Sequence, residues 1–256
     1  MYFLKLIFQI SFLGLVQGLT EFLPVSSSGH LVIIQHFLPL VNQQPVILVM
    51  MLHFGSLLAL LVYFWPKRKN IFADRKLIRN IILATIITVV IIFPFRKIIE
   101  TSFSNPRFAG MMLFFTGIIL FLASRKKNNN NKDKISFKES IIVGLGQALA
   151  VLPGISRSGL TISTGIFSGL KSERAVEFSF LLAIPIIAGA TVLEVPKLIQ
   201  MSSNLILIYL IGVLVSFIAS LFSLKLLIKI LKFNQKKLVY FAYYCWLIGL
   251  IAFLMI

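Results

Sequence analysis

Glu21, Arg157 and Glu177 place formal charge inside long apolar segments. An ionisable side chain there is costly enough to mark a functional candidate. Gln17 and Glu21 are four residues apart, so they share one helix face just ahead of Pro24. Behind the proline come Ser26, Ser27 and Ser28, then Gly29 and His30. A carboxylate, a set of hydroxyls and an imidazole therefore fall within a short stretch, which suits general acid–base or nucleophilic work. The bland alternatives are a structural ion pair for Glu21 and a satisfied core histidine for His30.

A second cluster, Pro153-Gly154-Ile155-Ser156-Arg157-Ser158-Gly159, has a different character. Gly154 and Gly159 permit backbone angles that turn successive amides into a concave anion nest. A half-helix starting near Ser158 would aim its positive N-terminus at the same place. Arg157 adds a planar fork suited to bidentate phosphate binding. The segment resembles a nucleotide-binding P-loop, but Leu160 occupies the lysine position, which excludes that reading. It is not a nucleophile elbow either, since Ser158 sits where the last glycine should be. What remains is an arginine-assisted oxyanion site, or an arginine that simply counters Glu21 or Glu177. Glu177, beside Ser179, could equally be an interfacial helix-start acid. His36 and His53 have no obvious carboxylate or serine company in sequence and read as structural. No Cys/His spacing suits zinc. One carboxylate together with phosphate oxygens would suit a loosely held Mg²⁺ or Ca²⁺.

The elements that must position these residues follow from composition. Of 256 residues 58% are hydrophobic and 13% charged, with mean hydropathy +0.96. These values exclude a soluble enzyme, a disordered chain and a disulfide scaffold, and leave an all-α polytopic membrane protein. Apolar runs at 45–65, 77–95, 107–123, 175–195, 204–224 and 238–256 are each long enough to cross the hydrocarbon core. Segments 1–40 and 138–170 are interrupted by the two clusters above and read as re-entrant helical hairpins, with irregular backbone enclosed by protein. The expectation is six full transmembrane helices plus two hairpins in one integral domain over 1–256. Its halves, about 1–124 and 138–256, are joined by a cytoplasmic loop at 124–138.

Most of the 25 Lys and Arg, against 8 Asp and Glu, fall in 66–79, 124–139, Lys171, Arg174 and 225–237. Lys5, Arg96, Lys97, Arg107 and Lys197 fall on the opposite side of that map. By the positive-inside rule the rich side is cytoplasmic and both termini point outward. The net charge of +17 is then an orientation signal, and no nucleic-acid partner is implied. The Asn128–Asn131 run reads as a solvated loop. Cys245 reads as packing, and the Gly165-x-x-x-Gly169 pattern as helix contact.

Shifting the chain by 130 residues aligns the two interrupted segments without gaps. Gly14/Gly144, Leu15/Leu145, Gln17/Gln147, Leu19/Leu149, Ser26/Ser156, Ser28/Ser158 and Gly29/Gly159 are identical. With one hairpin entering from each side, this is an inverted repeat whose broken helices meet near the midplane, where sites in such folds lie.

The run Gln17-Gly18-Leu19-Thr20-Glu21-Phe22-Leu23-Pro24-Val25-Ser26-Ser27-Ser28-Gly29-His30 closely resembles the first signature of bacterial undecaprenyl-diphosphatases of the bacitracin-resistance type. Pro153 to Thr161 resembles their second signature, PGxSRSGxT. The resemblance covers essentially the whole chain. It implies hydrolysis of undecaprenyl diphosphate to undecaprenyl phosphate and inorganic phosphate, recycling the lipid carrier for peptidoglycan synthesis and conferring bacitracin resistance. It also implies a bacterial plasma-membrane location, a site opening outward, and a divalent cation, Mg²⁺ or Ca²⁺, on the Glu21 and Gln17 side. In these terms Gln17 and Glu21 fill an E/Q-x-x-x-E element and Glu21 is its essential acid. Ser27 and His30 match the active-site serine and histidine, and Ser156, Arg157 and Thr161 the phosphate-binding residues. Ser26, Gly154, Ser158 and Gly159 complete the expected phosphate cradle. Glutamine at 17 weakens any mechanism requiring two carboxylates on the first helix, and Ser28 replaces a threonine common in the family. The nucleophile stays open among Ser27, His30 and water. The rival reading is a transporter or flippase of prenyl phosphate lipid, alone or combined with hydrolysis. Lipid substrate and bilayer are the expected partners, and a homodimer is compatible with the sequence.

Overall fold

A computed structural model describes residues 2–38, 45–127, 132–199, 203–231 and 234–255. The helices are α1 (Tyr2–Phe22), α2 (Ser27–His36), α3 (Pro45–Phe64), α4 (Arg68–Ala73), α5 (Arg75–Ile92), α6 (Arg96–Ser102), α7 (Pro106–Arg125), α8 (Phe137–Leu149), α9 (Arg157–Phe167), α10 (Ser172–Ile199), α11 (Ser203–Leu231) and α12 (Leu238–Met255). Their starts are set by polar caps. Asp74 accepts from Leu77 N at 3.0 Å, Asn105 accepts from Phe108 N at 3.0 Å ahead of Pro106, and Ser136 with Glu139 forms a capping box.

Among the described residues, seven helices are long and apolar enough to cross a membrane, one more than expected. The addition is α1. Its 21 residues run unbroken to Phe22, because Pro24 and the serines lie just beyond its end. Gly14 and Gly18 do not interrupt it; they let α11 approach. A Cβ on Gly14 would lie 2.6 Å from Gly212 O, and one on Gly18 would lie 2.6 Å from Ala219 Cβ. Small residues at such spacing are the usual means of close helix contact in lipid. The second interrupted segment does divide into short pieces, α8 with 13 residues and α9 with 11. At about 1.5 Å per residue, neither spans a hydrocarbon core of about 30 Å. Gly169 is a second departure. With φ 93° it ends α9, its amide bonding Ile166 O at 3.0 Å while Leu170 N bonds Gly165 O at 3.0 Å. That is a Schellman stop, while Gly165 does make a helix contact, a Cβ there lying 3.0 Å from Ala175 Cβ on α10.

Contacts recur at the 130-residue offset. α1 packs along α11 and α8 along α5, while α7 meets α12 and α3 meets α10. Gln17 Nε2 donates to Ser56 Oγ at 3.4 Å, and Gln147 Nε2 to Thr88 Oγ1 at 3.1 Å. The basic stretches gather at one end of the bundle. Lys132 N bonds Gly169 O, Lys171 Nζ reaches Asp133 at 2.6 Å, and Gln235 Nε2 donates to Ala123 O at 2.6 Å. Glu177 lies at this end, paired with Arg174 at 2.7 Å, so it is the interfacial acid of its two readings. Asn128–Asn131 and Lys232 lie outside the described residues.

Two apolar cores flank the polar centre. One is built from Leu13, Leu31, Leu48, Leu52 and Ile10. The other includes Phe22, Leu60, Leu113, Ile162 and Phe180. Glu21 precedes Phe22, so the first cluster sits at the seam between them.

Candidate functional site

Each break turns on a serine that caps the helix after it. Ser26 Oγ accepts from Gly29 N at 3.2 Å, and Ser156 Oγ from Gly159 N at 3.0 Å. The second serine of each Ser-x-Ser pair completes the motif, Ser28 Oγ at 3.3 Å from Ser26 Oγ and Ser158 Oγ at 3.2 Å from Ser156 Oγ. The breaks abut directly. Ser158 Oγ donates to Leu23 O at 3.1 Å, and a Cβ on Gly29 would lie 2.8 Å from Gly154 Cα. Gly154 has φ 94° and faces Ala109 O on α7, a position no side chain could share. Thr116 on α7 pins this turn by donating to Gly154 O at 2.9 Å and accepting from Ser156 N at 3.0 Å.

This contact brings residues 136 positions apart into one ion pair. Arg157 Nη2 meets Glu21 Oε1 at 2.7 Å, with side-chain exposures of 14% and 5%. Arg157 Nη1 also donates to Ser179 O at 3.2 Å, and Thr161 Oγ1 lies 2.6 Å from Ser179 Oγ. Thr161 and Ser179 thus brace the guanidinium from behind. The other carboxylate oxygen, Glu21 Oε2, accepts from Ser27 Oγ at 2.6 Å and from Gln17 Nε2 at 2.8 Å. Gln17 is in turn held within a hydroxyl ladder, in which Ser220 Oγ donates to Ser56 Oγ at 2.9 Å and Ser216 Oγ to Leu52 O at 2.7 Å.

A fourth group reaches Glu21. His53 Nε2 on α3 lies 3.3 Å from Oε2, and His53 Nδ1 bonds Val49 O at 2.7 Å. The sequence reading leaves His53 as structural, because the carboxylate it meets lies on another helix. Its one sequence signal is a polar face: His53 and Ser56 are three apart on an otherwise apolar helix.

Glu21, Ser26, Ser27, Ser28, His53, Ser156 and Arg157 border a cavity of about 160 Å³, closed on its apolar side by Val49, Met50, Ile186 and Ile187. That volume is well below the 300–1,000 Å³ of whole-ligand pockets and matches a compact polar head group. The other expected residues stand behind this wall. Gln17, Ser158 and Thr161 are buried and orient their neighbours, and Gly154 and Gly159 shape the turn. His30 does not border the cavity. Its Nδ1 bonds Ser26 O at 2.7 Å and its Nε2 bonds Tyr244 OH at 2.8 Å.

An all-helical chain with seven apolar helices and a buried carboxylate, guanidinium and hydroxyl at its centre is a multi-pass membrane protein with an enclosed polar site. Residues 10–251 match the family described as Bacitracin resistance protein BacA, and the chain belongs to that family. An undecaprenyl-diphosphatase of Syntrophotalea carbinolica is 40% identical over 249 residues, covering 93% of this chain and 94% of its own. One from Carboxydothermus hydrogenoformans is 42% identical over 252 residues, with 94% of each chain covered. One from Methanobrevibacter smithii is 36% identical over 272 residues, with 97% of each covered.

Proposed function

We propose that this chain is an undecaprenyl-diphosphatase that hydrolyses undecaprenyl diphosphate to undecaprenyl phosphate and inorganic phosphate. Relatives named for that activity match it over nearly its full length, and the family's name fits a role in bacitracin resistance. The transporter alternative has no comparable support. The observation that carries the reading is the Ser27 hydroxyl, 2.6 Å from a carboxylate whose other oxygen is held by Arg157, on the wall of a head-group-sized cavity.

Of the three nucleophiles left open by the sequence, this geometry favours Ser27. Ser27 Oγ attacks the terminal phosphorus and its proton passes to Glu21 Oε2. The bond to the bridging oxygen breaks, and undecaprenyl phosphate leaves with that oxygen. Water then attacks the phosphoserine, releasing inorganic phosphate and restoring the hydroxyl. Arg157 stabilises charge on the transferring group, the dominant need in phosphoryl transfer. Ser26 and Ser156 supply hydroxyls at the cavity wall.

The donor set suits a cation that takes most of its ligands from substrate and water. Among the described residues no three His, Cys, Asp or Glu converge on a metal position, and Glu21 is the sole carboxylate at the cavity. Gln17 Oε1, on the adjacent turn, is a buried acceptor without a partner. Glu21, at the cavity, would hold Mg²⁺ or Ca²⁺ beside the diphosphate, with Gln17 supporting it from behind the wall. Such an ion would neutralise phosphate charge. The matched serine caps support an inverted repeat with the head group near its midplane, and the basic end of the bundle supports a site opening to the outer face.

The test is phosphate release from undecaprenyl diphosphate by detergent-purified protein, with and without EDTA, beside Glu21→Ala and Arg157→Ala. Metal-dependent release lost in both variants is the expected result. Folded protein that binds the lipid and releases no phosphate would overturn the reading in favour of transport.

A further inference from the structure

Ser26, the residue before Ser27, has φ 65° and ψ 91° and is the single non-glycine residue with positive φ among those described. Such a conformation is disfavoured for any residue with a Cβ and persists only where its surroundings enforce it. The second break provides an internal comparison. Ser156 makes the same cap to the glycine three residues on, yet its φ is −73° and its ψ 117°. The strain is therefore not a requirement of the Ser-x-Ser-Gly motif. It is confined to the break that carries Ser27.

The two capping serines are held differently: Thr116 binds the amide of Ser156, whereas Ser26 is held through its carbonyl. The carbonyl of Ser26 is bonded by His30 Nδ1 at 2.7 Å and by His30 N at 3.2 Å. The position 130 residues after His30 is Leu160, which has no side-chain donor. His30 is itself held from α12. Tyr244 OH lies 2.8 Å from its Nε2, and the two rings stack at 5.6 Å with planes 8° apart. A carbonyl only accepts, so Nδ1 carries the proton; Nε2 of the neutral ring then accepts from the tyrosine O–H.

We infer that Tyr244 is a positioning residue for the reaction: it fixes the tautomer and orientation of His30, which holds the strained Ser26 carbonyl and so aims Ser27 Oγ at Glu21 and the cavity. His30 acts in this arrangement by holding backbone, away from the reacting atoms. The inference rests on Ser27 being the nucleophile of the proposed phosphatase. Tyr244 is not among the residues bordering the cavity and does not bond Glu21; its hydroxyl is linked to the reaction through His30 and the Ser26–Ser27 turn.

Tyr244→Phe keeps the ring stack and removes only the hydroxyl. A nucleophile displaced by a fraction of an ångström to one ångström loses rate, so kcat for phosphate release should fall by about 10–100-fold with KM little changed. In ¹⁵N-histidine spectra of the purified protein, His30 should show a protonated Nδ1 and a hydrogen-bonded, unprotonated Nε2, the latter signature lost in Tyr244→Phe. Glycine adopts φ 65° without strain. In a Ser26→Gly background, Tyr244→Phe should therefore cost much less than it does alone, a coupling that mere packing would not produce. A wild-type kcat in Tyr244→Phe, a His30 protonated on Nε2, or equal penalties in both backgrounds would each overturn the inference. Should Ser26→Gly itself be inactive, the kcat and the spectrum of the single variant decide. Inactive wild-type protein would instead count against the phosphatase reading.

Discussion

Replacing Arg157 by Met separates the structural from the chemical role of the central ion pair. The guanidinium lies 2.7 Å from Glu21 Oε1, and the two side chains are 14% and 5% exposed. Removing one partner of a buried pair leaves the other charge uncompensated, which costs about 3–5 kcal/mol. Glu21 keeps Ser27, Gln17 and His53 on its second oxygen, so the lower end of that range applies. For a chain of this size about 3 kcal/mol lowers the melting temperature by about 6–12 °C. Adding Glu21→Gln should recover most of the loss, because a neutral pair of similar shape no longer buries a lone charge. Activity should not recover. An arginine on a transferring phosphoryl group is worth about 10³–10⁵ in rate, and the double variant also lacks its base. The assay is thermal unfolding in detergent for wild type, Arg157→Met and the double variant, with phosphate release on the same samples. An unchanged melting temperature in Arg157→Met would refute the buried-pair argument. Wild-type phosphate release would refute the phosphate role of Arg157.

The remaining predictions concern the nucleophile, the turn, the helix contact and the metal. Ser27→Ala should abolish phosphate release while retaining lipid binding, and acid-quenched wild-type enzyme given labelled substrate should carry phosphate on Ser27; release by Ser27→Ala at the wild-type rate would favour water as nucleophile. Gly154→Ala should destabilise the fold severely, since its Cβ would enter Ala109 O and lie 2.7 Å from Met112 Cβ at φ 94°. Thermal unfolding of that variant at the wild-type temperature would contradict the packing of the second break on α7. Gly18→Val should separate α1 from α11, where Ser216 O and Ala219 Cβ occupy the space, and so lower the melting temperature. EDTA should stop phosphate release and added Mg²⁺ or Ca²⁺ restore it, and Gln17→Glu should lower the cation concentration required; an identical titration in both proteins would remove residue 17 from the metal side.

Much of the architecture is legible along the chain because water and lipid act on each residue type wherever it stands. The six uninterrupted runs appear as α3, α5, α7, α10, α11 and α12, with ends within four residues except that α11 continues seven residues further, to Leu231, since hydropathy over a span is a local sum. Pro24 and Gly154 mark the two breaks for equally local reasons. The first interrupted segment differs from the second in that α1 has the length of a full span, because the breaker residues of its interruption begin only after Phe22. Of the Gly165/Gly169 pair, Gly165 is the helix contact its spacing suggests, against Ala175 on α10, whereas Gly169 is a helix stop, a distinction that the sign of its φ makes and spacing does not.

The first cluster, with Glu21, Gln17 and Ser27 within a helix turn and its cap, could be written down from the sequence, and tertiary structure merely closed its hydrogen bonds. The role of Arg157 as partner of Glu21 was one of two options and became definite only when the breaks met, with Ser158 Oγ on Leu23 O. His53 shows in the sequence only as part of a small polar face with Ser56, and neither its carboxylate partner, the hydroxyl ladder between α3 and α11, nor the role of Tyr244 is readable there. Hydropathy and helix periodicity state which residues share a face of one helix. They carry no information on which face meets which across the bundle. That choice is made by close packing at positions such as Gly14 against Gly212, where two backbones approach only if no side chain intervenes. Residue types along the chain put charge beside two backbone breaks between apolar segments. Packing of the helices makes those breaks share one carboxylate and sets which distant side chains hold it in place.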